Sequence, residues 1–187
     1  DSESERRTHF LGLDYFPIDP AWRIEAQWVE FEEPRTIPIT NMLGLVSPAV
    51  IHGKAVFEHE GKKVELIPID EGPGEPLFFV ISDATSGKET YGVCRFLYAD
   101  APVDGKVVLD FNRTENPPCA FTTFATCPLP PKENRLTFPL AAGKAPPFGC
   151  GKQANALKFS LLGGKTGKSA LETRERMSWR AILNFER

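Results

Sequence analysis

The sequence predicts a mainly β protein, an antiparallel β-barrel or rolled sheet, with a C-terminal helix. Three observations carry this. There are 17 Pro and 15 Gly in 187 residues, which opposes long helices. Several short stretches alternate apolar and polar residues, the period of a half-buried strand. Turn-forming clusters separate these stretches at the spacing typical of all-β domains.

The elements follow in order. His9–Pro20 is aromatic and turn-rich, with Phe10, Tyr15 and Phe16 followed by Pro17 and Pro20, and is expected to pack irregularly on the body. Over Trp22–Phe31, Trp22, Ile24, Ala26 and Trp28 share one face, against Arg23, Glu25 and Gln27 on the other. Lys54–Glu58 and Lys63–Ile69 flank His59-Glu60-Gly61-Lys62, the strongest hairpin signal in the chain. Ala55, Phe57, Val64 and Leu66 are its expected core-facing residues. Residues 71–76 form a loop of Gly and Pro. Leu77–Ile81 is continuously apolar, as a strand buried on both faces would be. Ser82–Lys88 is a turn, and Glu89–Tyr98 and Lys106–Phe111 are expected strands. Glu172–Phe185 lacks Gly and Pro and reads as the C-terminal helix.

Composition narrows the function classes. Charged residues make up 25% and hydrophobic ones 41%, the balance of a soluble globular protein. No apolar run is long enough to span a membrane as a helix. The net charge of −3 divides unevenly. Residues 1–143 hold 13 Lys+Arg against 22 Asp+Glu, or −9, and residues 144–187 hold 9 against 3, or +6. A single β domain over 1–143 with a basic extension over 144–187 is therefore expected. The acidic domain gives no electrostatic reason to bind nucleic acid, whereas the basic extension leaves that open. The sequence starts at Asp1 rather than Met, which reads as a trimmed or processed start, and no basic-then-apolar leader is expected in what remains. The expectation favours the cytoplasm and leaves secretion open.

Unusual residues concentrate between 83 and 136. If the strand at Lys106 continues, Asp110 and Asn112 share a face about 6–7 Å apart at the strand rise. Arg95 on the preceding strand is expected near them, because a buried charge needs a partner. Such a group forms either the polar floor of a ligand pocket or a structural ion pair. Asn116-Pro117-Pro118-Cys119, Cys127-Pro128-Leu129-Pro130-Pro131 and Asn134-Arg135-Leu136 follow. Five Pro in fifteen residues exclude a helix and a central strand, leaving a rigid loop. Cys119 and Cys127 admit three readings: a bridge, free packed thiols, or metal ligands. The last is weakest, since zinc ligands usually stand closer in sequence. Only His9, His52 and His59 could serve a Cys nucleophile as base, and His59 reads as part of an exposed turn.

Two motifs are set aside. Residues 163–169 resemble a phosphate loop, but Leu162 stands where Gly is required. Asn112-Arg113-Thr114 fits a glycosylation sequon, yet Asn112 falls at the end of a core strand.

Together these motifs resemble the domain-of-unknown-function 1684 family of bacteria and archaea. The resemblance runs over residues 10–143. It rests on Phe10-Leu-Gly-Leu-Asp-Tyr-Phe-Pro with Asp19-Pro-Ala-Trp-Arg23, on Asp83-Ala-Thr85-Ser-Gly87 with Arg95-Phe-Leu97, and on the Asp110-Phe-Asn112, Asn116-Pro-Pro-Cys119, Cys127-Pro-Leu-Pro-Pro131 and Asn134-Arg-Leu136 signature. Thr114-Glu115 and Lys144 depart from the pattern, where a small residue with an aromatic, and a Glu, are expected. The resemblance implies kinship and supplies no reaction.

The leading expectation is a small-molecule-binding β-barrel whose polar pocket is made by Tyr91, Arg95, Asp110, Asn112, Asn116, Cys119 and Asn134. No cofactor and no metal are assigned. The first alternative is an enzyme, hydrolase-like or other, using the same pocket. Asp110 would be its acid or base, positioned by Arg95 and assisted by Tyr91 or Cys119. The second is a structural or interaction module whose signature closes the barrel. A flavin-binding split barrel is compatible on fold grounds, and fold analogy alone carries little.

Overall fold

A computed structural model describes residues 13–145. Residues 9–12 of the aromatic segment, the basic extension from residue 146 on, its expected helix, Cys150 and the loop-like motif at 163–169 lie outside the described residues. Six antiparallel strands form the body: β1 (Arg23–Thr40), β2 (Val46–His59), β3 (Lys62–Leu66), β4 (Leu77–Ile81), β5 (Arg95–Ala99) and β6 (Lys106–Asp110). One sheet has the order β3-β2-β1-β6, and β4-β5 form a separate ribbon. Among the described residues, the helical segments are three-residue 3-10 turns.

The long sheet curls into a half-barrel, and β1 shows why. It pairs with β2 from Gln27↔Val56 to Glu30↔Gly53, then resumes at Arg35↔Ile51. Five steps on β1 face two on β2, so Phe31–Pro34 bulges out and bends the strand. Pro34 suits that position because it has no N–H to give to a ladder. The β1 face read from alternation is the observed one: Ile24, Ala26 and Trp28 turn inward. Trp22 precedes the strand, in the turn Pro20–Trp22, yet packs in the same cluster.

The hairpin closes as its sequence implies. His59 pairs with Lys62 across Glu60-Gly61, both at positive φ (50° and 71°), as a two-residue turn needs to match strand twist. Ala55, Phe57 and Leu66 are buried and Val64 packs beside them. His59 itself corrects an expectation. It is half-buried in an aromatic group with Trp22 and Phe138, at centroid distances of 5.3 and 4.1 Å.

The apolar run Leu77–Ile81 is a strand buried on both faces. Phe79 and Ile81, with Leu97 and Ala99, enter one core cluster against the half-barrel. Phe78, Val80 and Phe96 enter a second cluster with Ile39 and Ile69. The ribbon thus lies between two apolar layers. Three expected strands end or begin differently: Lys63–Ile69 stops at Leu66, and two others come out shorter. Glu89–Cys94 is not strand, because the Thr85 carbonyl accepts the amides of Lys88, Glu89 and Thr90 and holds the chain in a compact turn. β6 stops at Asp110, because its side chain caps the turn Phe111–Arg113.

Candidate functional site

The predicted polar residues go to several places rather than one. Arg95 opens β5 and is fully buried. The expected partner, Asp110, is not the one it meets. Arg95 Nη2 donates to Asp83 Oδ2 at 2.7 Å and to the Leu140 carbonyl at 2.8 Å, while Nη1 donates to the Ala142 carbonyl and Thr114 Oγ1. Burial lowers the Arg95 pKa, and the Asp83 carboxylate counters that by favouring the charged form. Asp83 Oδ1 accepts from the Thr85 amide, the Thr85 hydroxyl and the Leu140 amide. This ion pair ties the end of β4 to the chain at 140–142. Asp83 is the residue missed among the candidates. The local signal was Asp-x-Thr directly after an apolar strand, the pattern of a side chain that bonds its own turn.

Asp110 and Asn112 do meet each other, though not as neighbours on one strand face. Asp110 Oδ1 accepts from the Asn112 amide at 3.2 Å and from Asn112 Nδ2 at 3.1 Å. Asn112 also grips the Asp19 backbone in both directions, at 3.0 and 2.9 Å. Its Nδ2 therefore has two acceptors, consistent with the sequon being a chance match. Asn134, fully buried, bonds the Ile67 amide and carbonyl at 2.8 Å and the Val80 carbonyl at 3.0 Å. It sews the end of β3 to β4. Asn116 donates to the Ala145 carbonyl at 2.7 Å and leaves its own carbonyl oxygen buried without a partner. Tyr91 donates to the Cys119 carbonyl at 3.0 Å. Cys119 and Cys127 are free thiols, which decides against a bridge in this structure. Among the described residues, no group of three His, Cys, Asp or Glu is placed to hold a metal.

Two concavities are present near these residues. The larger is a groove of about 640 Å³ between the bent half of the β1–β2 pair and the Pro-rich loop. Ile37, Ile39, Ile51, Ile67 and Leu129 give it apolar surface, and Pro130 and Pro131 form a wall. Four cations line it, Arg35, Lys54, Lys132 and Arg135, against Glu65 and Glu133. Glu65 is held below the usual carboxylate range by hydrogen bonds from Lys54 and Lys63, so it neutralises Lys54. Arg35 lies over the Phe31 ring at 4.0 Å. None of the seven predicted side chains lines this groove. The smaller recess, about 250 Å³, touches Asn112 and is lined by Tyr15, Tyr98, Glu115 and Lys144. Glu115 and Lys144, both read as departing from the expected motif, face each other there: Lys144 Nζ stands 3.7 Å from Glu115 Oε2.

The family described as "Protein of unknown function (DUF1684)" matches residues 8–145. The chain belongs to this family. Among solved structures, it is similar to the solution NMR structure of an uncharacterised protein from gene locus rrnAC0354 of Haloarcula marismortui. That protein is 29% identical, with a TM-score of 0.62 over 75% of this chain and 80% of the other. No curated protein matches significantly. The motifs that carried the resemblance thus fall in two places. Asn112 and Asn116 fasten the backbone at Asp19 and Ala145, and Leu129, Pro130 and Pro131 wall the groove.

Proposed function

We propose that this protein binds a small amphipathic anion, with an apolar body and a carboxylate-like head, in the groove of about 640 Å³. The groove carries the reading: its volume lies in the range of small-molecule sites, and it joins an apolar floor to a surplus of cations. With Lys54 paired to Glu65 and Lys132 3.8 Å from Glu133, Arg35 and Arg135 supply the surplus positive charge of the rim. The binding place differs from the pocket expected around Arg95 and Asp110. Asp83 occupies Arg95, and Asn112 occupies Asp110. The acid–base reading of Asp110 thereby loses the Arg that was to position it.

The test is a thermal-shift series with medium-chain carboxylates against the matching neutral alcohols. Decanoate is expected to raise the melting temperature and decanol to leave it unchanged. A ligand at a hundredfold excess over Kd stabilises the folded state by about 2.7 kcal/mol, which is readily measured. Equal shifts with acid and alcohol, or none with either, would overturn the reading.

A further inference from the structure

Cysteines scattered through the sequence meet in one apolar cluster. Cys94 and Cys127 are buried beside Phe78 and Phe96, and Cys119 packs against them half-buried. Cys119 and Cys127 belong to the same packed cluster, close enough that each shifts the other's ionisation. The Tyr91 hydroxyl donates to Cys119 Sγ at 3.6 Å. Both cysteines are held by backbone fastenings from other elements. Tyr91 bonds the Cys119 carbonyl, and the Met42 amide donates to the Cys127 carbonyl at 3.1 Å. Pro118 and Pro128 fix φ beside each of them. The stretch between them faces solvent, with Phe124 99% exposed.

The two sulfurs are chemically unequal. The neighbouring Cys127 thiol and then the Tyr91 hydroxyl lower the Cys119 thiol below its ordinary range. The Cys119 sulfur, with burial, drives the Cys127 thiol far up. Burial also raises Cys94 well above its usual value. A thiolate is the reactive form of cysteine, so reactivity concentrates on Cys119.

We infer that Cys119 and Cys127 are an oxidation site for hydroperoxides, with Cys119 the attacking sulfur and Cys127 the resolving one. The Cys119 thiolate attacks the terminal peroxide oxygen and the O–O bond breaks. The leaving oxygen takes the thiol's former proton and departs as water or an alcohol, and Cys119 becomes a sulfenic acid. Cys127 then attacks the sulfenic sulfur. Hydroxide leaves, combines with the Cys127 proton as water, and the S–S bond forms. Two thiols are oxidised and one peroxide is reduced.

The test uses the full chain, reduced and then treated with stoichiometric hydrogen peroxide. Remaining thiols are blocked with N-ethylmaleimide, and the peptides are mapped by mass spectrometry. The expected product links the Cys119 and Cys127 peptides with loss of two hydrogens, reverts with dithiothreitol, and leaves Cys94 alkylatable after unfolding. In Cys127→Ser, dimedone is expected to trap a sulfenic acid at Cys119. Tyr91→Phe is expected to slow thiol loss several-fold while the same pair still links. The rate should rise with pH and level off below the range of free cysteine. Cys119 left intact by peroxide that oxidises glutathione, or linkage to Cys94 or Cys150 instead, would overturn the inference. The wild-type peptide map alone decides this even if a variant fails to fold.

Discussion

Arg95 sets the terms at the residue scale, because a fully buried guanidinium tolerates few changes around it. Removing Asp83 strands its charge. Asp83→Ala is expected to cost about 3–5 kcal/mol, read as a lower urea midpoint. Arg95→Met should cost a similar amount, since it strands the buried Asp83 carboxylate in turn and takes a donor from the Leu140 and Ala142 carbonyls. If Asp83→Ala proves as mild as an exposed substitution, the ion pair is not holding the fold. Gly143 belongs to the same corner. Its φ is 76°, and a Cβ there would lie 1.9 Å from Thr114 Oγ1. Gly143→Ala therefore combines an unfavourable backbone with a clash, and should lower the melting temperature sharply. Thermal melts of Gly143→Ala and of a mild control such as Gly74→Ala check this. Gly74 also has positive φ, yet has open space around its missing Cβ. Arg95's need for a carboxylate was legible from its strand. Which carboxylate answers it was not, because Asp83 reaches it through a turn and Asp110 is held by its own neighbour.

At the scale of elements, local rules served well where the structure is local. The Glu60-Gly61 turn joins the two strands that its flanking residues announce, and Leu77–Ile81 is a strand over the whole of its apolar run. Glu60 at positive φ is the turn's weak point. Glu60→Asn is expected to stabilise the hairpin by about 0.5 kcal/mol, because Asn tolerates that region better. A chemical-denaturation midpoint that falls instead would count against the turn geometry. Glu89–Cys94 shows the limit of pattern reading. Its residues are compatible with a strand, but the amides of Lys88, Glu89 and Thr90 converge on the Thr85 carbonyl and turn the chain where a strand would start. The β1 bulge was similarly hidden. The expected strand ends at Phe31, and only the pairing with β2 shows that Phe31–Pro34 bulges and the strand runs on to Thr40 beside the groove.

For the molecule as a whole, the proposed ligand site is the groove. Reversing charge at its rim with Lys132→Glu and Arg135→Glu should weaken decanoate binding about tenfold or more. Each lost charge–anion contact is worth about 1 kcal/mol or more. Isothermal titration checks this, and unchanged affinity would place the ligand elsewhere. Both residues are exposed, so stability should change little. A chain ending after Ala145 is expected to melt cooperatively, since the Lys144 and Ala145 amides are bonded to the Thr114 and Asp14 carbonyls. A truncated chain with no cooperative transition would show that the fold needs residues beyond this point. The sequence by itself determined the β class, the closing hairpin, the doubly buried strand and membership of the family. These follow from period, turn chemistry and motif order, which act between near neighbours or can be compared directly. Only the tertiary structure decided that Arg95 pairs with Asp83, that Asn134 sews β3 to β4, and that the Pro-rich loop walls a cation-rimmed groove. Partner choice among buried polar groups depends on which distant segments the folded backbone brings within about 3 Å, and periodicity along the chain does not carry that distance.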